Sequence, residues 1–382
     1  MFKAFRVGSV RGIPIKLDVT LLLILPAIAY LIGSQMSMVV TALNEGLGAR
    51  LAADALTGGL LPWALGFAAG IGLFACVLLH ELGHAAVARN YGYEVGSITL
   101  WLLGGVARPE EQPERWNHEL WIAVAGPVVS IALGVGCYLL FSVLTVEALV
   151  FLFGYLAVLN IVLAAFNMLP AFPLDGGRVL RALLGRSRDF VEATLMAVAV
   201  GKGFAVLFAL VGILSLNVFL IAIAFFVYLA AAAEGKQTVL QAAFEGVTVG
   251  DVMTREVRTL SPDRTLTEVL DRMFRERHTG YPVVRDGRLM GVITLSDVRD
   301  VAPEERDMTT VAEAMSTDLK TVTADADAMD AIKKLSDEGV GRLVVTDASG
   351  RLVGLVTRSD LVTAMNLMQE RRLTEGGESL MT

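Results

Sequence analysis

The sequence contains few cysteines and little charge. Only two of its 382 residues are cysteines, and 19% are charged. Cys76 and Cys137 both lie inside apolar runs without a CxxC pair, so neither a disulfide framework nor a cysteine-ligated zinc site is predicted. No basic patch dominates, and we therefore expect no nucleic acid partner. Hydrophobic residues make up 54% of the chain and the mean hydropathy is +0.61, which is too apolar for an ordinary soluble protein.

The charges that are present lie mostly in the C-terminal part. Residues 1–235 hold 13 Lys and Arg and 14 Asp and Glu, whereas residues 236–382 hold 19 and 25. We predict a membrane-embedded domain at 1–234, in contact with the lipid bilayer, an acidic soluble domain at 245–365 and a polar tail at 366–382. The basic N-terminus lacks a small-residue cleavage site, so we expect the first hydrophobic segment to be retained.

Six hydrophobic segments are long enough to cross a membrane as helices, at about 19–38, 61–88, 119–144, 147–169, 191–213 and 215–233. The stretches before and between them contain 4, 1, 3, 0, 4 and 0 Lys or Arg residues in turn. Basic loops remain on the cytoplasmic side of a membrane. The alternation therefore predicts a multi-pass protein of the cell membrane with both termini, and everything after residue 234, in the cytoplasm.

The second hydrophobic segment ends in His80-Glu81-Leu82-Gly83-His84. Positions i and i+4 share one face of a helix, so both imidazoles can reach one metal ion. Glu81 lies between them and can act as a general base on a water molecule at the metal. Ionisable residues at membrane depth are functional candidates by default. The alternatives are a chance match and a histidine pair satisfied within the core.

A third metal ligand has to come from elsewhere, because a catalytic zinc ion usually has three protein ligands and one position for water. The best candidate is Asp175, which closes the fourth segment at the same predicted depth as the histidine pair. Pro170 and Pro173 break the helix there, so the aspartate can turn toward a cavity. Asn167 offers an amide to a carbonyl oxygen or a developing oxyanion. The alternative is an interfacial turn with a solvated aspartate.

A β-prone segment follows the second hydrophobic segment at 94–108, around Gly104-Gly105. Non-helical backbone near a membrane is tolerated where it is buried in protein or lines a cavity. The segment therefore lines a cavity next to the metal or, as the alternative, forms an ordinary cytoplasmic hairpin.

The soluble part contains an internal repeat, with a first copy at 245–303 and a second at 307–365. Both copies contain the pattern Gly-x-x-Thr-x-Ser-Asp, which ends at Asp297 in the first copy and at Asp360 in the second. Each copy predicts the order strand, helix, strand, turn, strand, helix, and hence an α/β domain.

The motifs of the first part resemble the site-2 protease family of intramembrane zinc metalloproteases. That family's pattern is HExxH followed by NxxPxxxxDG, and the chain matches it with HELGH at 80–84 and NMLPAFPLDGG at 167–177. The AGPxxS run at 125–130 and the Gly104-Gly105 pair also resemble the family.

The resemblance implies hydrolysis of peptide bonds inside the membrane, with a transmembrane protein as substrate. His80, His84 and Asp175 would hold one zinc ion. Glu81 would be the general base, and Asn167 would contact the substrate or the oxyanion.

The repeat is similar to a pair of CBS motifs, which implies AMP, ADP or ATP as ligands. Thr294 and Asp297, with their equivalents Thr357 and Asp360, lie where a strand gives way to a helix. Aspartate there can accept hydrogen bonds from ribose hydroxyls, with threonine near the phosphates. The alternative is that these residues only cap the following helices. Many such pairs serve as dimer contacts, so a homodimer through the CBS motifs is a further expectation.

The predicted fold is an α-helical polytopic membrane domain, with about six transmembrane helices and a β-prone membrane-associated segment, followed by an α/β tandem CBS domain. The predicted function is intramembrane zinc endopeptidase activity regulated by adenine nucleotides. Two alternatives come from other classes of protein, namely a CBS-regulated channel or transporter and a catalytically inactive membrane receptor.

Overall fold

The computed structural model describes residues 4–102, 104–109, 113, 115–365 and 367. The chain divides into two compact units, Met1–Lys236 and Gln237–Thr382. Apart from Leu367, the predicted polar tail lies outside the described residues.

The first unit combines helices with one small sheet. Its helices are α1 (Val19–Ser34), α2 (Met36–Leu47), α3 (Ala53–Leu56), α4 (Leu61–Asn90), α5 (Trp116–Val143), α6 (Glu147–Asn167), α7 (Asp175–Leu184) and α8 (Phe190–Leu214), and α9 (Val218–Phe244) begins in it. Its strands are β1 (Ala4–Val10), β2 (Ile13–Asp18), β3 (Val95–Trp101) and β4 (Gly104–Pro109).

Five helices of the described chain are long and apolar enough to cross a membrane, namely α4, α5, α6, α8 and α9. The count becomes six if α1 and α2 together form one span. This agrees with the predicted number, and the chain is a multi-pass membrane protein.

The first predicted segment, 19–38, differs from a single straight helix. Helices α1 and α2 meet at Gln35 with a bend of 72°. The Gln35 N–H donates to the carbonyl of Ile32, three residues back, which ends the regular α-helical ladder. Beyond the bend, the Asn44 amide exchanges two hydrogen bonds of 3.0 Å with the backbone of Leu51. Average hydropathy contains no information about such a bend.

The β-prone segment forms the predicted strands, which join a four-stranded sheet in the order β1-β2-β3-β4. The β2/β3 pair is parallel and the other two pairs are antiparallel. Ile98 and Leu100 of β3 are buried. Strands β3 and β4 contact α4, so the sheet lies beside the helix that carries the histidines, and β4 forms one edge of it.

The second unit contains the two copies of the repeat. Its elements are α10 (Val249–Val252), α11 (Leu266–Glu276), β5 (Gly280–Arg285), β6 (Arg288–Thr294), α12 (Leu295–Arg299), a 3-10 turn (Pro303–Glu305), α13 (Val311–Ala314), β7 (Thr321–Thr323), α14 (Ala328–Asp337), β8 (Arg342–Thr346), β9 (Leu352–Thr357) and a helical stretch at 358–365.

The two copies exchange their short opening helices. Val249 of α10 packs in the core of the second copy, and Val311 of α13 packs in the core of the first. The second copy has the predicted order of elements. In the first copy the opening strand is reduced to a single bridge from Leu260 to Val283. Pro262, two residues further on, has no N–H with which to extend a ladder.

Candidate metal centre

Helix α4 brings the two histidines to one buried position. His80 and His84 are four residues apart, and the whole residues are 3% and 5% exposed. Their Nε2 atoms are 3.1 Å apart. The spacing alone predicts the shared face, and the apolar residues before it place that face inside the unit.

Asp175 reaches the same position from a different part of the chain. It is the first residue of α7 and is 8% exposed. Its Oδ2 lies 3.1 Å from His80 Nε2 and 3.2 Å from His84 Nε2. The turn after α6, which contains Pro170 and Pro173, lets the chain leave the helix and return to this point.

The three side chains fit one small metal ion. Ligands that bind a tetrahedral zinc ion at about 2.0–2.1 Å lie about 3.3 Å from one another, close to the observed separations. The Ile122 carbonyl can only accept, so His84 Nδ1, at 2.7 Å from it, is the donor. In the neutral ring, His84 Nε2 then presents a lone pair toward His80 Nε2 and the Asp175 carboxylate. Each of the three side chains can therefore offer one ligand atom to a single metal ion.

Helix α5 fixes the orientation of both imidazoles. Ser130 Oγ lies 2.9 Å from His80 Nδ1, and Ile122 O accepts from His84. Between them, Gly126 leaves room for the rings, because a Cβ atom there would lie 2.6 Å from His80 Nε2. Hydrogen bonds to the distal ring nitrogens set the tautomer and the direction of metal-binding histidines.

A cavity of 520 Å³ opens next to the three converging side chains. Its lining is mostly apolar, but Glu81, Asn167 and Arg178 also face it. This volume and composition are typical of ligand sites, which measure about 300–1,000 Å³ and contain a few placed polar groups. Helix α9 forms one wall with Ile223, Phe226, Val227 and Ala230.

Strand β4 passes close to the Glu81 side chain. A Cβ atom at Gly105 would lie 2.5 Å from Glu81 Cγ, so a side chain at this position would displace the Glu81 side chain. The predicted segment at 94–108 therefore lines the cavity through Val95, Trp101, Gly104 and Gly105, and the choice between cavity wall and ordinary hairpin is settled in favour of the wall.

Sequence reasoning missed several residues of this site. The Ile122 carbonyl belongs to the backbone, so no pattern in the sequence indicates its role. Arg178 lines the cavity, but the sequence analysis used it only to count basic residues in the loops. Tyr93 also lines the cavity and was not predicted. Lys202, an ionisable residue of α8, does not line the cavity. Its Nζ lies 5.5 Å from the centre of the Tyr228 ring.

The second unit has a cavity of its own, of 430 Å³. Thr294 and Asp297 of the first copy line it, together with Lys320 and Arg342 of the second copy. Hydrogen bonds from Lys320 to Glu338 and Asp318 raise the pKa of its ammonium group, so the lysine remains charged. Arg342 bridges the copies by donating to the Gly280 carbonyl at 2.7 Å.

The two Thr and Asp pairs have the same local structure but different surroundings. Asp297 Oδ2 accepts from the N–H and Oγ1 of Thr294, both at 2.7 Å, and Asp360 does the same for Thr357 at 2.8 Å. Asp297 is therefore the third residue of a capping box whose N-cap is Thr294, and Asp360 makes the same hydrogen bonds with Thr357. The residues that line the cavity of 430 Å³ include the first pair but not the second.

Comparisons with known proteins identify a family for each of the two parts of the chain. The model of peptidase family M50 matches residues 68–147 and 142–210, and the CBS domain model matches residues 249–304 and 311–367. The chain is 32% identical to a zinc metalloprotease of Methanocaldococcus jannaschii over 368 residues, which cover 96% of this chain and 97% of that protein.

Two further relatives cover smaller parts. Rip3 of Mycobacterium tuberculosis, which is provisionally named a zinc metalloprotease, is 34% identical over 322 residues, 80% of this chain and 82% of Rip3. A solved structure of a site-2 protease from Methanocaldococcus jannaschii is 33% identical and covers 61% of this chain and 95% of that one, with a TM-score of 0.42.

Proposed function

Because the chain belongs to peptidase family M50, the site-2 protease family of zinc metalloproteases, we propose that it cleaves transmembrane segments of other membrane proteins within the bilayer. The observation that carries this proposal is the convergence of His80, His84 and Asp175 beside Glu81 in a mostly apolar cavity. Similarity to a zinc metalloprotease over almost the whole chain favours the enzyme over the channel, the transporter and the inactive receptor.

His80 Nε2, His84 Nε2 and the Asp175 carboxylate would hold the zinc ion. When bound, zinc supplies Lewis acidity, which lowers the pKa of a coordinated water to about 7 and polarises a carbonyl group. Ser130 and the Ile122 carbonyl keep the two imidazoles turned toward the ion.

Glu81 acts as the general base of the reaction. It is adjacent to a ligand in sequence and faces the same cavity, but it is outside the group of three converging side chains. Its carboxylate takes the proton of the attacking water and passes it to the leaving amine. Asn167, at the end of α6, also faces the cavity, and its amide binds the substrate carbonyl as negative charge develops on the oxygen.

Strand β4 provides a docking place for the substrate. A transmembrane helix has all its backbone amides hydrogen-bonded, so it must unwind before a peptide bond can be attacked. As an edge strand next to Glu81, β4 can pair with the unwound segment by strand addition and hold it extended.

The direct test compares the wild-type protein with His80→Ala. Wild type, purified in detergent, should contain one zinc ion per chain and cleave a transmembrane substrate after both are reconstituted in vesicles. His80→Ala should lose the zinc and the cleavage. Cleavage that continues in the zinc-free variant would contradict the proposal.

The charge alternation supports a topology with both termini and the CBS pair in the cytoplasm. This arrangement requires α1 and α2 to count as one span, because five spans would place the two termini on opposite sides. Labelling of single cysteines by a membrane-impermeant reagent, placed at Ser9 and Ser349 on a cysteine-free background, separates the two cases. Labelling of one site in intact cells and not the other would overturn the topology.

The CBS pair is the proposed site of regulation. The cavity between the two copies combines Asp297 and Thr294 with the cations Lys320 and Arg342, which suits a ribose and a phosphate. Calorimetry on the full-length protein with AMP, ADP and ATP tests binding, and cleavage with and without nucleotide tests regulation. A homodimer through the CBS motifs is tested by light scattering. Absence of binding for all three nucleotides would contradict the regulatory proposal and leave the protease proposal intact.

A further inference from the structure

A buried ion network outside the metal centre joins three helices that build it. Arg181 of α7 is 5% exposed. Its Nε and Nη2 donate to Oε1 of Glu119 on α5, at 2.8 and 2.5 Å, and its Nη1 donates to Oε1 of Glu234 on α9 at 2.9 Å. The rings of Phe172 and Phe190 lie 5.1 and 4.8 Å from the guanidinium carbon. The planar guanidinium, with its fixed fork of donors, suits this arrangement better than an ammonium group would.

Each of the three charged residues in the network lies on a helix that contributes to the metal centre or to the cavity beside it. Helix α7 begins at Asp175 and carries Arg181 less than two turns later. Glu119 lies at helical spacings of three, four and four residues along α5 from the groups that meet the imidazoles, so all of them share one face. These groups are Ile122, Gly126 and Ser130. The Glu119–Arg181 pair thus fixes the helix that orients the imidazoles against the helix that begins at the carboxylate.

Stability alone does not account for this network. Glu119 is only 2% exposed, and charges in such a place lose much of their hydration. Well-packed hydrophobic residues often hold elements together as well as a buried ion pair does. A fork of directed hydrogen bonds also fixes rotation and register between α5 and α7, which apolar packing specifies less tightly.

We propose that Arg181 is a positioning residue for the metalloprotease reaction, which sets the location of Asp175 relative to His80 and His84. Glu234 extends the same control to α9, which forms one wall of the cavity. This inference rests on the proposed zinc-binding role of the three side chains.

The test measures zinc affinity of the full-length protein by competition with a chromophoric chelator. Arg181→Lys keeps the positive charge but removes the planar guanidinium group with its several donors. Glu119→Gln keeps the shape of the side chain but removes its negative charge. Each should weaken zinc binding about 10- to 100-fold, the usual effect of losing a group that orients metal ligands. Glu234→Gln should have a smaller effect, because the Glu234 side chain is 32% exposed whereas that of Glu119 is 3% exposed.

Enzyme kinetics distinguish a variant with misplaced zinc ligands from a variant that is partly unfolded. In the variants kcat should fall at limiting zinc and largely recover at saturating zinc, while KM for the substrate stays unchanged. Arg186→Lys is the matched control, because Arg186 follows α7 and lies 5.8 Å from the Trp116 ring, without an ion pair in the described chain. It should leave zinc affinity unchanged.

Wild-type zinc affinity in folded Arg181→Lys and Glu119→Gln would overturn the positioning role. If either variant fails to fold, Glu234→Gln provides the test, because the Glu234 side chain is partly exposed. Unchanged zinc affinity in Glu234→Gln would then count against the proposal. If the wild-type protein binds no zinc, the proposed metal site is wrong and the positioning role fails with it.

Discussion

The metal centre and the cavity of the CBS pair differ in what their polar groups do without a ligand. At the candidate metal centre, the side-chain atoms of His80, His84 and Asp175 that can bind a metal ion face one another across 3.1–3.2 Å, which is the spacing of ligands around one ion. In the CBS pair, Asp297 already accepts two hydrogen bonds from Thr294. Helix capping accounts for that residue with or without a nucleotide. Convergence of buried ligand atoms is therefore a stronger sign of a binding site than a duplicated motif.

The largest expected effect belongs to Asp175→Ala, which should remove both the zinc and all measurable cleavage. Two imidazoles alone fall short of the three protein ligands that a catalytic zinc ion usually has. Atomic absorption of the purified variant checks the zinc content. Asp189→Ala is the control, since Asp189 only caps α8 by accepting from the Glu192 N–H at 2.7 Å. The control should keep its zinc and lose about 1 kcal/mol of stability.

Glu81→Gln should come next, with cleavage reduced about 100- to 10,000-fold and zinc retained. An amide cannot accept the proton of the attacking water, and general base catalysis contributes a factor of this size. Cleavage assays and zinc analysis on the same preparation separate the two properties. Loss of zinc from this variant would show that Glu81 is a metal ligand and would contradict its role as a general base outside the ligand set.

A smaller effect is expected from Ser130→Ala, which removes the hydrogen bond to His80 Nδ1. Zinc affinity should fall about 10- to 100-fold, because the imidazole loses the group that orients it. Ser142→Ala on the same helix is the matched control, since its hydroxyl donates only to the Leu139 carbonyl. Equal zinc affinity in the two variants would show that Ser130 does not orient the ligand.

The smallest effect should distinguish the two copies of the CBS repeat. Asp297→Ala and Asp360→Ala each remove the carboxylate half of a capping box, so each should lower the free energy of unfolding of the second unit by about 1 kcal/mol. Only Asp297 lines the cavity of 430 Å³, so only its removal should weaken AMP binding in calorimetry. Equal losses of affinity would indicate two equivalent sites, and unchanged affinity in both would reduce the aspartates to caps.

The sequence predicted those parts of the metal centre that depend on local spacing. His80, Glu81 and His84 lie within one helical turn, so their shared location follows from helix geometry. Asp175 could be predicted because prolines mark the end of α6 and because the motif around it resembles a known family. The convergence of all three side chains required the packing of α4, α5 and α7, which no local pattern encodes.

Other features depended on tertiary contacts and could not be predicted. From the sequence, Arg181 was predicted only to be one of the basic residues of a cytoplasmic loop. In the structure it is buried and pairs with Glu119 and Glu234. By contrast, the bend at Gln35 and the single bridge at Leu260 have local causes, but average hydropathy contains no information about either. The repeat predicted two equivalent copies, whereas the cavity of 430 Å³ is lined by Thr294 and Asp297 and not by Thr357 and Asp360.

The cavity beside the proposed metal ligands also indicates which molecules would inhibit the enzyme. Its lining is largely aliphatic and aromatic, and His80, His84 and Asp175 are part of it. A hydroxamate or thiol head would bind at these three side chains, while an apolar body filling part of the 520 Å³ would gain affinity by leaving water. Chelators of equal metal affinity but higher polarity should therefore be weaker inhibitors, and potency should rise with lipophilicity until the space is filled.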